Sequence, residues 1–190
     1  MQRQTIYKPE PIGLDLVVDT IQRKLITTFP QTTTGFPLCE RIETQRNKDS
    51  IYSYTTEPFI LNSNGEYINA LPDNKDVISF YFDLASNIEY VYKDTNRFTK
   101  QASLLIVFFV NLKTALRKEY ASKERLIIEI EKAVNNCGVD LRISRQITEL
   151  DYIFKDYYNI TKQMNTNITT FPFYLFALEI DIKYRNNKIC

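Results

Sequence analysis

The chain of 190 residues has no histidine, no tryptophan and only four glycines. Without histidine, Ser–His and Cys–His nucleophile pairs, HExxH metal sites and histidine general bases are all excluded. The glycines stand at positions 13, 35, 65 and 138, too scattered for a phosphate-binding loop or a dinucleotide-binding turn. These absences predict a protein that is not an enzyme, needs no cofactor and acts by binding.

Cysteine and long apolar runs are also scarce. Cys39, Cys137 and Cys190 lie far apart, and an odd number without a CxxC pair indicates a reducing compartment and no disulfide framework. The longest apolar run, Ala102–Val110, is too short to cross a bilayer, and residues 1–30 lack a signal-peptide pattern. We therefore expect no membrane partner.

Charge of either sign is balanced, with 24 basic and 23 acidic side chains and no basic stripe. Proteins that bind nucleic acid by sequence normally carry a basic excess on one face, so we expect no such binding here. Hydrophobic residues make up 44% of the chain, which is enough for a packed core. The 13 Tyr and 12 Phe favour a sheet-rich fold, since aromatic side chains suit a pleated surface.

Apolar periodicity predicts the order of the elements. A 3.6-residue repeat predicts helices over about 12–27, after Pro11, and over about 122–136, where Ser122 is placed to cap the first turn. Alternating patterns predict strands, and the uninterrupted run within Arg97–Leu112 indicates a central strand buried on both faces. Further strands are predicted over 39–46, 51–55, 77–83, 88–92, 141–143 and 171–184, a short helix over 146–157, and loops or turns over 31–37, 71–76, 93–96 and 159–170.

The most specific local signal is a hairpin. Phe59-Ile60-Leu61 and Glu66-Tyr67-Ile68 flank Asn62-Ser63-Asn64-Gly65, and the Asn-Gly step supplies the positive φ that a tight turn needs. Taken together, the pattern predicts an α+β fold with a mainly antiparallel sheet, a long central strand and two main helices packed on it. Residues 1–10 are predicted to be a flexible arm, and residues 11–190 a single domain.

One constellation suggests chemistry. Glu179, Asp181 and Lys183 alternate on the last strand, as in metal-dependent nucleases, where such residues hold Mg²⁺ and activate water. That site would need a further carboxylate, for which Asp73 is the candidate. The same pattern is also typical of the solvent face of an amphipathic strand, which is the interpretation we prefer. A cytoplasmic adaptor domain is a third hypothesis.

Four segments carry a family resemblance: Pro11–Phe29, the strand Gln101–Leu112 (QASLLIVFFVNL), Ser122–Asn136 and Phe173–Arg185. In this order they resemble the small neck and tail-completion proteins of tailed bacteriophages, which include tail-terminator-like and head–tail connector rings. The 22 Ile and 15 Asn resemble the composition of AT-rich genomes, such as those of crAss-like phages of Bacteroidetes.

The resemblance implies a structural virion protein, assembled in the host cytoplasm, that forms a homo-oligomeric ring. Its partners would be other virion proteins, either the portal and connector or the tail tube, and genomic DNA would only pass through the ring. We expect self-association through strand edges, the arm and the hairpin. The candidate subunit-interface residues are Ile6, Tyr7, Phe59, Ile60, Tyr67 and Ile68.

Overall fold

The computed structural model describes residues 4–48, 51–72, 76–92, 98–116, 122–158, 160 and 172–185. Its strands and helices follow one another in chain order. They are β1 Gln4–Thr5, α1 Leu14–Thr28, β2 Thr32–Leu38, β3 Glu40–Lys48, β4 Ile51–Leu61, β5 Tyr67–Asn69, β6 Ile78–Leu84, β7 Glu89–Tyr92, β8 Phe98–Asn111, α2 Leu112–Ala115, α3 Lys123–Asn135, β9 Leu141–Ile147, α4 Leu150–Ile153 and β10 Phe173–Arg185.

A seven-stranded main sheet is built around β8, in the order β1-β2-β6-β8-β10-β9, with β7 also paired to β8. β8 pairs antiparallel with β10 along almost its whole length, and with β6 and then β7 on its other side. Among the strands that the structure describes, only the β1–β2 and β2–β6 pairs are parallel. The predicted class is therefore confirmed: an α+β fold with a mainly antiparallel sheet and a long central strand.

Helices α1 and α3 cover one face of this sheet. Their apolar stripes pack on Ile78, Phe80 and Phe82, which share one face of β6, and on alternate residues of β8 and β10. The rings of Phe108 and Phe176 stack at the centre, with centroids 4.9 Å apart. Helix α3 begins where the sequence predicts, because the Ser122 hydroxyl accepts a hydrogen bond from the backbone N–H of Arg125 at 3.2 Å.

The opposite face of the main sheet carries a second apolar core. It is covered by a small antiparallel sheet, β3-β4-β5, and by the segment around α4. Ile60 and Ala70 from the small sheet, and Ile153 and Phe154 from the α4 segment, pack in the same cluster as Tyr81 of β6. The small sheet, β3-β4-β5, is therefore a layer of its own, seated on the face that the helices leave open.

Three predictions need correction. Residues 31–37 were predicted to be a loop, but β2 runs through them as a parallel neighbour of β6, with Thr32 and Thr34 buried. The short helix predicted over 146–157 is confined to α4, because Gln146 and Ile147 extend β9 and pair with β10. Gly13 takes a positive φ of 58°, and α1 accordingly begins at Leu14 rather than near residue 12.

The described part of the predicted arm is attached to the domain. Gln4 and Thr5 form β1, a parallel edge strand on β2. The buried Gln22 side chain of α1 donates from Nε2 to the carbonyl oxygens of Ile6 (2.7 Å) and Gly35 (2.9 Å). Residues 4–6 are therefore bound to both a helix and a strand instead of forming a free arm.

The remaining loop predictions fall largely outside the described residues. These are the turn over 93–96, positions 73–75 of the turn over 71–76, and residues 159 and 161–170 of the loop over 159–170. Within the part of the chain that the structure describes, no helix is long and apolar enough to cross a membrane.

Candidate functional site

The outer face of the small sheet carries exposed apolar side chains at its hairpin end. In the hairpin, Ile60 pairs with Ile68 and Leu61 with Tyr67. Ile60 is 1% exposed and belongs to the core beneath the sheet, and Ile68 packs against that core. Because strand side chains alternate, Phe59, Leu61 and Tyr67 lie on the opposite face. We call Ile42, Phe59, Leu61 and Tyr67, which share this face, the outer patch.

The outer patch is wide open to solvent at one end and polar at its border. Leu61 is 48% exposed and Tyr67 51% exposed, whereas Phe59 is half-buried. The Tyr67 hydroxyl donates to Glu40 Oε2 at 3.0 Å. That hydrogen bond, and the negative charge of the Glu40 carboxylate, raise the pKa of Tyr67, so the phenol stays neutral and remains a hydrogen-bond donor.

The structure places the six predicted interface residues in three different environments: the outer face of the small sheet, the core beneath it and the surface of α1. The half-buried Phe59 and the exposed Tyr67 share the outer face, whereas Ile60 is buried and Ile68 faces the core. Ile6 packs partly against the same core. The ring of Tyr7 lies 4.2 Å from the guanidinium of Arg23 on α1, so the arm residues do not join the outer patch.

One arginine fixes the small sheet to the main sheet. Arg41 on β3 donates from Nε to Asp83 Oδ1 at 3.3 Å and from Nη2 to Asp83 Oδ2 at 3.2 Å. Its Nη2 also donates to the carbonyl oxygen of Leu84 at 2.6 Å, and its Nη1 lies 3.2 Å from Asp156 Oδ2. Through these bonds a single guanidinium joins β3, β6 and the segment after α4.

The Asp83 end of this ion pair is buried. Asp83 is 2% exposed, and burial raises its pKa even though the Arg41 charge lowers it. Burial, reinforced by the Asp83 carboxylate, also raises the pKa of Tyr157, whose ring lies 5.5 Å from the Arg41 guanidinium. Burial likewise raises the pKa of Cys39 well above its usual value, so this thiol is neutral and a poor nucleophile.

A cavity of about 330 Å³ opens beside the ion pair. Arg41, Lys155 and Asp156 contribute charged side chains to its wall, and Ser86 and Asn87 contribute polar ones. Because Arg41 and Asp156 are already paired with each other, the wall presents mixed charge without a clear preference for one sign. We assign it no ligand.

The strand with the enzyme-like pattern has partners on neighbouring strands. Glu179 forms an ion pair with Arg145 of β9. The Ser103 hydroxyl of β8 donates to Asp181 Oδ1 at 2.6 Å, and Lys183 is exposed. Asp73, the further carboxylate that a nuclease site would need, lies outside the described residues. Within the described ranges, no group of three or more acidic or cysteine side chains is placed to hold a metal ion.

The Arg41–Asp83 pair was not predicted from the sequence. The two residues are 42 positions apart, and Arg41 stands in a polar strand where an arginine is unremarkable. The available signal was Asp83 itself, an acid at the end of the apolar run Ile78–Leu84, where an inward-facing carboxylate requires a cation.

Comparison with known proteins finds no family model that matches the chain, and no curated protein that matches it significantly in sequence.

Proposed function

We propose that this chain is a structural virion protein, a ring-forming subunit of a phage head–tail connector, neck or tail terminator, which acts by self-association and by docking on other virion proteins. The observation that carries the proposal is the outer patch. Contiguous exposed apolar side chains on a soluble domain are typical of protein–protein contact surfaces. Tyr67 is a favourable anchor, since tyrosine combines a large apolar ring with a hydrogen-bonding tip.

The outer patch is a better contact surface than the edge of the main sheet. At that edge, β9 exposes Arg142 and Arg145 and pairs with β10 through a register shift at Glu179 and Ile180. Charges and bulges on edge strands oppose pairing with another strand. The outer patch instead presents the exposed side chains of Leu61 and Tyr67, so we place self-association there.

The proposal is tested by the mass of the full chain in solution, measured by size-exclusion chromatography with multi-angle light scattering over a range of concentrations. We expect oligomers that grow with concentration and appear as rings in electron micrographs. Leu61→Asp should shift the species towards monomer, because it buries a charge in the contact.

Ile128→Asp is the matched control. Ile128 is 47% exposed, against 48% for Leu61, but it lies on α3, on the far side of the main sheet. This variant should assemble as the wild type does. A wild-type chain that stays monomeric at every concentration, or a Leu61→Asp chain that still forms rings, would contradict the proposal.

The virion assignment needs its own experiment. The chain should co-purify with the portal or tail-tube rings encoded in the same genome, and micrographs should show it at one end of them. An oligomer that binds neither would leave self-association standing but would refute a place in the neck or tail.

A further inference from the structure

The first described residues are held by one strand and one helix of their own chain. β1 pairs with β2, and the backbone N–H of Ile6 donates to the carbonyl oxygen of Gly35 at 3.4 Å. Gln22 of α1 binds the carbonyl oxygens of both Ile6 and Gly35. We call residues 4–8 the docked arm. Because every copy of the chain has the same β2 and α1, every copy offers the same site for a docked arm.

Two side chains of the docked arm extend these contacts along α1. The ring of Tyr7 lies over the Arg23 guanidinium, and the Lys8 ammonium is 3.0 Å from the Asp15 carboxylate. All these contacts are noncovalent. The covalent connection between the docked arm and α1 is the segment 9–13, which we call the hinge.

The hinge is strained. Its sequence is Pro-Glu-Pro-Ile-Gly, and Glu10 has a φ of 48°. Within the described ranges, Glu10 is the only residue other than glycine with a positive φ. A side chain disfavours this conformation, and a following proline favours an extended conformation for the residue before it. The Glu10 side chain is exposed, so its burial does not offset the strain. Docking the arm on its own domain therefore opposes the conformational preference of Glu10.

An extended hinge removes this strain. Pro9 and Pro11 fix their own φ near −65°, so an extended Glu10 between them gives a stiff, polyproline-like segment. Five extended residues span about 17 Å, which is more than the roughly 10 Å between packed layers of structure. An opened arm therefore reaches a second domain that touches its own. Short hinges under strain favour the exchange of an element between identical chains.

We propose that the docked arm is exchanged between copies, so that residues 4–8 of one copy dock on β2 and α1 of the next. The inference rests on the proposed function, to which it adds a second link between subunits beside the outer patch. β1 then becomes an edge strand in the main sheet of the neighbouring copy. Every contact of the docked arm is kept, and the strain at Glu10 is released. A succession of such donations forms a closed ring when the last copy donates its arm to the first.

Crosslinking tests the exchange directly, because Lys8 and Asp15 mark the two sides of the contact. Both chains carry Cys137→Ser and Cys190→Ser, which leaves the buried Cys39 as the native thiol. One chain also carries Lys8→Cys, and the other, lengthened by a tag, carries Asp15→Cys. The ion pair lost in this way is partly exposed and contributes little to stability.

The two chains are unfolded together in urea, refolded as an equal mixture and treated with a short bismaleimide. We expect a product with the combined mass of both chains on a denaturing gel, in which peptide mapping joins positions 8 and 15. Each chain treated alone measures the background. The same treatment of the mixture in urea should give no product above that background.

The hinge supplies an independent test by light scattering. Glu10→Gly accepts a positive φ without strain and so favours the arm docked on its own domain. The concentration needed for assembly should therefore rise about tenfold. Glu10→Ala is the matched control, because it removes the same charge but keeps a Cβ atom, and it should assemble as the wild type does.

The outcomes separate the two proposals, provided that circular dichroism shows every variant to be folded. If the wild type forms oligomers but no product joins positions 8 and 15 of different chains, exchange is wrong while the proposed function stands. The same conclusion follows if Glu10→Gly assembles as readily as Glu10→Ala. A wild type that stays monomeric at every concentration refutes both.

Discussion

The Arg41–Asp83 pair allows a quantitative prediction. Arg41→Met keeps an unbranched apolar stem but removes the guanidinium, which leaves the carboxylate of Asp83 buried at 2% exposure without its cation. An uncompensated buried charge typically costs about 3–5 kcal/mol of stability. The chain can limit that loss by protonating Asp83.

The free energy needed to protonate Asp83 sets the size of the destabilisation by Arg41→Met. A carboxyl with an ordinary pKa near 4 lies about three pH units below neutrality, and each unit costs about 1.4 kcal/mol, so neutralising it at pH 7 costs about 4 kcal/mol. At pH 5 the same step costs only about 1.5 kcal/mol. The destabilisation by Arg41→Met should therefore fall steeply between neutral and mildly acidic pH.

The direction of the pKa shift of Asp83 determines whether stability rises or falls with pH. Burial raises the pKa of Asp83 in the folded protein, and Arg41 is the main influence that lowers it, so removing Arg41 raises this pKa further. A carboxyl whose pKa is higher in the folded than in the unfolded chain binds its proton more tightly when folded. Its contribution to stability is complete below the unfolded pKa and is lost as pH rises through the folded one. In the variant that loss extends to higher pH.

Urea unfolding at pH 5, 6 and 7 measures the effect on the wild type and on Arg41→Met. The difference in unfolding free energy should grow by about 1.4 kcal/mol per pH unit. Arg41→Met combined with Asp83→Leu removes the titrating group, and its difference from the wild type should lack this slope. A difference for Arg41→Met that does not change with pH would refute the reasoning.

Three further substitutions test other parts of the fold, each by urea unfolding. Gln22→Leu removes the donor that joins the carbonyls of Ile6 and Gly35 and should cost about 1–3 kcal/mol, with faster amide exchange in β1. Gly35→Ala places a Cβ 2.9 Å from the Phe80 ring and should cost about 1–3 kcal/mol, which a stability equal to the wild type would contradict. Ser122→Ala removes the cap of α3 and should cost about 1 kcal/mol, whereas Ser122→Asp should restore most of it.

Elements with a strong local pattern were predictable from sequence. The 3.6-residue repeat of α3 and the Asn-Gly turn between β4 and β5 depend on neighbouring residues, and the structure has both where expected. β2 was missed because Gly35 and Pro37 suggest a loop. Its extended conformation comes from pairing with β6, more than 40 residues away, and from the close approach of Phe80 that a glycine permits. A strand that is stabilised in this way by distant residues has no recognisable strand pattern in its own sequence.

The candidate site was predictable only in part for the same reason. The hairpin strand Phe59-Ile60-Leu61 is apolar on both faces, so alternation alone does not say which face meets the core. That choice follows from the contact of Ile60 with the cluster around Tyr81 of β6.

The Arg41–Asp83 pair supports assembly through the outer patch if that contact requires the small sheet to be held in one orientation on the main sheet. The contacts of Ile60, Ile68 and Ala70 with the core are apolar and therefore weakly directional, whereas Arg41 meets both oxygens of Asp83 and a backbone carbonyl at fixed angles. Replacing a buried pair by apolar residues is often neutral or stabilising, so stability alone does not explain the presence of the Arg41–Asp83 pair.

We therefore expect the double variant Arg41→Met with Asp83→Leu to unfold at a urea concentration no lower than the wild type, yet to assemble more weakly. Light scattering and urea unfolding on the same preparation decide the matter: if assembly and stability both stay at the wild-type level, the pair does not orient the patch.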